Sequence, residues 1–132
     1  INISIEISSP SVHRTLFSSG GSSFFRASWI GDYPDPENFL SLFYSNNKSP
    51  YGPNYTHFNN TVYDSLYELT FNIKKEYNRC DIFQEMEQLL IEESTFIPLY
   101  YDFVVRLVSK NVSGMSINSM NTLSLKKVKK TD

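Results

Sequence analysis

Residues 25–39 read FRASWIGDYPDPENF, and this stretch sets the first expectation about the fold. Residues 24–29 have the apolar character of a buried β-strand. Residues 31–36 contain two prolines together with Gly and Asp, a combination that excludes regular structure and favours turns. The pattern therefore predicts a loop at the carboxyl end of a strand, which is where open α/β sheets bind ligands.

The end of this strand and the loop bring together an indole, a carboxylate and a phenol, on Trp29, Asp32 and Tyr33. These side chains are candidates for ligand binding. From the residues alone, Trp29 fits a core position equally well, and Asp32 fits a turn cap better. Arg26 lies within the apolar strand, and a buried arginine needs a partner. We therefore expect a carboxylate beside Arg26, either internal or on a ligand.

The preceding residues predict a strand and a helix. Residues 1–7 alternate isoleucine with polar residues, which is typical of a half-buried strand. Ser9 and Pro10 predict the N-cap and the first residue of a helix that runs to about Ser18, before the two glycines at residues 20–21. Together with the strand that follows, this order predicts a βαβ unit with parallel strands.

The residues after the quoted stretch predict one long loop, two helices and further strands. Residues 45–60 are rich in Asn, Ser, Pro, Gly and Tyr, which predicts an ordered loop or lid without helix. Two apolar stripes with helical spacing follow. They consist of Val62, Leu66 and Leu69, and of Ile82, Phe83, Met86, Leu89 and Leu90. Strands are expected at residues 96–101, 103–108 and 123–128, with a turn at residues 111–114.

Composition excludes several classes of protein. The chain has 132 residues, of which 40% are hydrophobic and 20% charged, and this suits a globular domain. A net charge of −2 argues against a nucleic-acid binder. No apolar run approaches the ~20 residues of a membrane span. Cys80 is the only cysteine, and neither His13 nor His57 has a second ligand at metal-binding spacing, so neither a metal site nor a cofactor is predicted.

Asp32 and Asp35 are the candidate pair for acid–base chemistry. A glycosidase holds two carboxylates roughly 5–9.5 Å apart across one bond, but residues three apart in a proline-bounded turn usually diverge. The sequence contains no nucleophile motif and no phosphate-binding loop in the right context. The residues therefore favour a binding protein over an enzyme, with a hydrolase that uses Asp32 and Asp35 as the alternative.

Several segments match one known pattern in order and spacing. In the first, Ser28-Trp29 is followed by Asp32, then by Pro34-Asp35-Pro36 and by Asn38-Phe39. The others are NTVYDSL at 60–66, EMEQLL at 85–90 with IPLYY at 97–101, and VSGM at 112–115 with LSLKKV at 123–128. Together they resemble the C-terminal part of the oligopeptide/dipeptide-type (family 5) solute-binding proteins of bacterial ABC importers.

The resemblance implies an α/β chain: a fragment of the bilobal, type II periplasmic-binding-protein-like fold, with a mixed sheet and flanking helices. Residues 1–102 would be the C-terminal portion of the second lobe and would carry the ligand-binding face. Residues 103–132 would be the return segment that packs on the first lobe. Because that segment is apolar and has strand edges, we expect an isolated chain either to fold it back or to exchange it in a homodimer, with exchange favoured.

The resemblance also implies a function: extracytoplasmic capture of peptides, or related small solutes, for delivery to an ABC importer. The protein would be periplasmic, or a lipoprotein anchored on the extracytoplasmic face of the membrane. Asp32 would bind the α-amino group of the peptide, and Arg26 would bind its carboxylate, as in some members of the family. Trp29 would line the pocket, and Tyr33 is a further candidate for ligand binding. The expected partners are the peptide and the permease subunits. Asp32 favours a peptide over nickel, and a nickel- or sugar-binding protein is a further alternative.

Overall fold

Four α-helices supply most of the regular structure in the computed structural model, which describes residues 2–73, 76–101, 103–118 and 120–131. In chain order they are α1 (Pro10–Ser18), α2 (Glu37–Leu40), α3 (Thr61–Thr70) and α4 (Glu76–Glu92). Short 3-10 turns follow α2 at Ser41–Phe43 and Ser45–Asn47. Two short strands, β1 (Val112–Ser113) and β2 (Lys129–Lys130), pair antiparallel. Across the described ranges, no helix combines the length and apolar character that a membrane crossing requires.

Helices α3 and α4 pack against each other and form the core. Helix α3 begins after Asn60, whose side-chain oxygen accepts hydrogen bonds from the N–H groups of Val62 (2.9 Å) and Tyr63 (3.1 Å). Helix α2 contributes to the same core. The buried apolar side chains are Leu40, Tyr63, Tyr67, Phe83, Met86 and Leu90. Because Leu40 belongs to this set, the loop that precedes α2 is attached to the helix pair.

The buried face of α3 lies one residue beyond the predicted stripe. Tyr63 and Tyr67 are buried, whereas Val62 and Leu69 are exposed. Tyrosine can occupy these positions because its hydroxyl finds a partner: that of Tyr63 donates to the carbonyl of Leu40 at 2.7 Å. The stripe predicted for α4 is confirmed, since all its members are buried or half-buried.

Helix α1 begins and ends where the sequence predicts, but its cap differs from the expectation. Pro10 is its first residue, and Gly20 has a φ of 73°, the left-handed conformation that glycine adopts without strain. The Ser9 hydroxyl makes no capping hydrogen bond and lies 3.2 Å from the Ser11 hydroxyl. The predicted side-chain cap is therefore wrong, because the hydroxyl of Ser9 has a competing local partner.

The predicted strands do not form in the described residues. They are residues 1–7, 24–29, 96–101, 103–108 and 123–128. Ile3, Ile5 and Ile7 are 78%, 84% and 94% exposed, so their side of the segment is not half-buried. A strand needs a hydrogen-bonded neighbour and cover for its apolar face, and the described part of the chain provides neither here. The predicted βαβ unit with parallel strands is therefore wrong, and the pair that forms is antiparallel.

Two residues that bear on these predictions lie outside the described residues. Ile1 begins the first predicted strand, and Asp102 marks the predicted boundary between residues 1–102 and 103–132. That boundary stays a prediction.

The loop predicted at residues 45–60 is ordered around one buried amide. Asn54 is fully buried, and its Nδ2 donates to the carbonyls of Tyr44 and Phe58, both at 3.0 Å. The backbone N–H of Ser45 donates to Asp64 of α3 at 3.0 Å. The loop contains a 3-10 turn but no α-helix, so the prediction is confirmed.

Candidate ligand-binding site

The loop that carries the predicted site residues is attached to α2 through one buried amide. Asn38 is only 4% exposed. Its Oδ1 accepts a hydrogen bond from the indole Nε1 of Trp29 at 2.9 Å and another from the backbone N–H of Asp32 at 3.2 Å. Trp29 and the Asp32 turn are therefore fixed relative to each other by a single oxygen atom.

A buried carboxylate fixes the next residue of the loop. Glu37 is 8% exposed, and its two carboxylate oxygens accept hydrogen bonds from the hydroxyls of Tyr33 and Tyr67. The hydrogen bond to Glu37, followed by burial, raises the pKa of Tyr33. Burial, followed by the same carboxylate, raises the pKa of Tyr67. Both phenols therefore stay protonated donors, and Tyr33 is joined to α3 through Glu37.

Asp35 is bound within the protein by an ion pair. Its carboxylate accepts hydrogen bonds from Arg79 of α4 at 3.0 and 3.2 Å and from the N–H of Glu37 at 3.0 Å. Burial opposes ionisation, but the Glu37 N–H and the Arg79 guanidinium outweigh it and lower the pKa of Asp35. The Arg79 guanidinium also lies 5.0 Å from the centre of the Phe83 ring. Asp35 thus anchors the loop to α4.

An open, mostly apolar groove of about 520 Å³ lies beside the loop. Trp29 and Tyr33, two of the four predicted site residues, line it, and each exposes more than a third of its surface. The other lining residues are Ile30, Gly31, Pro34, Asp35, Pro36, Phe39, Val104, Met120 and Asn121. The groove could accommodate an apolar part of a small ligand, while Asp32 and Arg26 lie outside its lining.

Asp32 and Arg26 are both exposed, and their side chains differ in the contacts they make. The carboxylate of Asp32 makes no hydrogen bond or ion pair within the described residues, so it is free to meet a ligand. Arg26 donates to the hydroxyl of Tyr100 at 2.5 Å, and its guanidinium lies 6.0 Å from the centre of that ring. The expected burial of Arg26 with an internal carboxylate partner is therefore wrong, because an exposed guanidinium needs no such partner, and the alternative of a carboxylate on a ligand stays a prediction.

Sequence comparison finds the chain similar to named peptide-binding proteins. It is 33% identical over 89 residues to the periplasmic oligopeptide-binding protein OppA of Escherichia coli (strain K12), which covers 67% of this chain and 16% of that protein. It is 32% identical over 103 residues to the dipeptide-binding protein DppE of Bacillus subtilis (strain 168), which covers 78% and 18%. The chain thus spans 16–18% of the length of these curated relatives. No protein-family model matches it.

Structural comparison leads to the same group. The chain is similar to the periplasmic murein tripeptide-binding protein MppA in its unliganded open form, with a TM-score of 0.59 and 27% identity, over 64% of this chain and 16% of that one. The chain belongs to the oligopeptide-type solute-binding protein family. Its helices and small sheet are a segment of the periplasmic-binding-protein fold. By their names, these relatives are binding proteins and not enzymes.

The sequence predicts no role for three residues of the candidate site: Glu37, Asn38 and Arg79. Glu37 and Asn38 follow Pro36 directly, and the Asn38-Phe39 pair is part of the pattern that suggested the family. A polar residue that follows a proline-rich turn and begins a helix is a signal for a contact back to that turn. Arg79 gave no local signal, because its partner Asp35 lies 44 residues earlier.

The described part of this family member contains no group of three His, Cys, Asp or Glu side chains that could hold a metal ion. The predicted site residues present an exposed carboxylate on Asp32, an exposed guanidinium on Arg26, and the aromatic rings of Trp29 and Tyr33 that line the groove. This set of groups can bind an ammonium group, a carboxylate and apolar surface.

Proposed function

We propose that this chain supplies one side of a peptide-binding cleft in an extracytoplasmic binding protein that delivers peptides to an ABC importer. The observation that carries the proposal is the carboxylate of Asp32, which has no partner among the described residues and is set beside Trp29 through the shared contact with Asn38. Relatives whose names record oligopeptide and dipeptide binding support it.

In this proposal, Asp32 binds the α-amino group, which unblocked linear peptides have in common. A charge-assisted hydrogen bond of this kind contributes about 1.5–3 kcal/mol. Trp29 and Tyr33 give apolar contact, and the main chain of the ligand supplies contacts that do not depend on its sequence. Arg26 retains guanidinium donors beyond the one used by Tyr100, and these would bind the peptide carboxylate.

The proposal includes a periplasmic or membrane-anchored location and permease subunits as partners. It involves neither catalysis nor a cofactor. The ion pair between Asp35 and Arg79 speaks against a hydrolase, because the second carboxylate of the candidate pair is already bound.

The test replaces Asp32 with asparagine in the protein that carries this chain. Calorimetry should find that Asp32→Asn weakens binding of free-amine peptides by about 1.5–3 kcal/mol, since the charged partner is lost. N-acetylated peptides should bind weakly to both proteins. The matched control is Asp81→Asn, the same substitution at an exposed position of α4, and it should leave affinity unchanged.

Two results would contradict the proposal. Equal affinity for free and acetylated peptides in the unsubstituted protein would remove the role of Asp32. Steady release of shorter products, detected by mass spectrometry after incubation with peptide, would make the protein an enzyme.

A further inference from the structure

The amide oxygen of Asn38 joins two parts of the proposed site. It accepts hydrogen bonds from the indole N–H of Trp29 and the backbone N–H of Asp32, and Asn38 itself is almost fully buried. We infer that Asn38 is a positioning residue for peptide binding: without touching the ligand, it sets the direction of the Asp32 carboxylate relative to the Trp29 ring. This inference rests on the proposed function and extends it to a residue with no role assigned so far.

The Oδ1 atom of Asn38 accepts both of these hydrogen bonds. Both neighbours are N–H donors, so the amide must present its oxygen to them. An amide oxygen has two lone pairs, and each is used. Without the Asn38 oxygen, the indole N–H of Trp29 and the backbone N–H of Asp32 would lack an acceptor. Both hydrogen bonds are partly buried, so leaving these donors unsatisfied carries a desolvation cost.

The loop has few other restraints at this point. Residues 31–36 make no strand pairing, and two prolines remove backbone donors from the segment. Glu37 fixes Tyr33, and Arg79 fixes Asp35, but within the described residues neither side chain makes a hydrogen bond to Asp32 or Trp29. Asn38 is therefore the described side chain that determines where the Asp32 backbone lies, and through it the direction of the carboxylate.

Such a restraint matters for affinity because ordering a mobile loop on binding consumes part of the interaction free energy. A carboxylate that already points toward the ammonium position binds without that cost. A different role for Asn38, in stability alone, would alter the fraction of folded protein but not the preference of folded molecules for one ligand over another. The ratio of two affinities separates these roles.

The experiment measures the affinity ratio of a free-amine peptide to its N-acetylated form, by calorimetry on the protein that carries this chain. Asn38→Leu is similar in size but removes the acceptor, and we expect the ratio to fall by about tenfold, as after the loss of one directional contact to a charged group. Asn38→Asp keeps an acceptor oxygen and adds a negative charge that favours an ammonium group, so we expect the ratio not to fall by more than about threefold.

Each outcome decides between the alternatives. A ratio unchanged by Asn38→Leu overturns the positioning role while the proposed function stands. Loss of preference in both variants also overturns it, because the acceptor oxygen is then not what matters. Absence of any preference in the unsubstituted protein overturns the role of Asp32 and this inference together.

A measurement on the unsubstituted protein keeps the inference testable if Asn38→Leu does not fold. The amide hydrogen of Asp32 should exchange slowly with solvent before any peptide is added, because Asn38 already binds it. The amide of the exposed residue Ser28 is the comparison, since the described structure gives it no hydrogen-bond partner. Equally fast exchange at both positions would overturn the inference.

Discussion

Asp32 and Asp35 lie three residues apart in one loop, yet their carboxylates have opposite surroundings. Asp35 accepts hydrogen bonds from Arg79 and from the N–H of Glu37. Asp32 contributes only its backbone N–H to the described contacts, through Asn38. The bound carboxylate serves the shape of the loop and the unbound one is available to a ligand, so the two aspartates should respond differently to substitution.

Replacing Asp35 with asparagine should destabilise the protein by about 1–2 kcal/mol at neutral pH, because Arg79 loses its charged partner. The pKa of Asp35 in the folded state lies below its ordinary value of 3.8. A carboxyl group with a lowered folded-state pKa stabilises the protein at pH values above its unfolded-state pKa. This stabilisation is lost as the pH falls through the folded-state pKa. Free energies of unfolding from urea titration should therefore differ at pH 7 and converge as the pH falls below 3.8.

Asp81→Asn provides the control for this pH series, because Asp81 is exposed on α4. Asp81→Asn should change the free energy of unfolding by no more than about 0.5 kcal/mol at every pH. A destabilisation by Asp35→Asn that stays constant from pH 7 to pH 3 would mean that the ion pair with Arg79 is not its cause.

At this scale, the sequence predicted the loop but not the partners that hold its residues. The proline-bounded pattern after Trp29 correctly predicted a loop, since backbone chemistry at Pro34 and Pro36 is local. The expected burial of Arg26 with an internal carboxylate was wrong, because only tertiary packing decides burial, and the alternative of a carboxylate on a ligand stays a prediction. The contact between Asp35 and Arg79 joins positions 44 residues apart, and no local pattern encodes such a distance.

The N-cap residues of α1 and α3, Ser9 and Asn60, can be compared directly. Asn60 accepts two backbone hydrogen bonds at the start of α3, whereas the Ser9 hydroxyl makes none at the start of α1. Asn60→Ala should therefore cost about 1 kcal/mol of stability, the usual effect of losing a cap. Ser9→Ala, the matched control, should cost close to nothing. Urea unfolding of both variants measures this difference, and equal effects would contradict it.

Helices α1, α3 and α4 form where the sequence predicts helices, α2 was not predicted, and the predicted strands do not form in the described residues. A helix satisfies its backbone hydrogen bonds within one segment, so spacing and end signals such as Pro10 carry most of the information. A strand satisfies them only with another segment. The alternation at residues 1–7 thus specifies a face that could be buried but not the neighbour that would bury it. The buried face of α3 also lies one residue beyond the predicted stripe, because the hydroxyls of Tyr63 and Tyr67 hydrogen-bond to residues of α2.

Across the whole molecule, exposed apolar surface is prominent toward the C-terminal part of the chain. Ile97, Leu99, Tyr101, Val105 and Leu107 are between 64% and 97% exposed. Soluble proteins rarely leave a continuous apolar surface in water unless it meets a partner. The resemblance predicts that residues 103–132 pack on the first lobe of a bilobal protein, which would cover Val105 and Leu107.

A chain of these 132 residues studied alone should therefore self-associate. Burying apolar surface yields about 25 cal/mol per Å², and exchange of a segment between identical copies is a low-cost route to a dimer. Light scattering should detect a dimer or a larger species for the full chain and a smaller species after truncation at Tyr101. The control is a full-length chain with Val105→Lys and Leu107→Lys, which keeps the segment but makes it charged, and it should shift toward monomer. A full chain that is strictly monomeric, and whose state the truncation does not change, would mean that residues 103–132 find their partner within the same molecule.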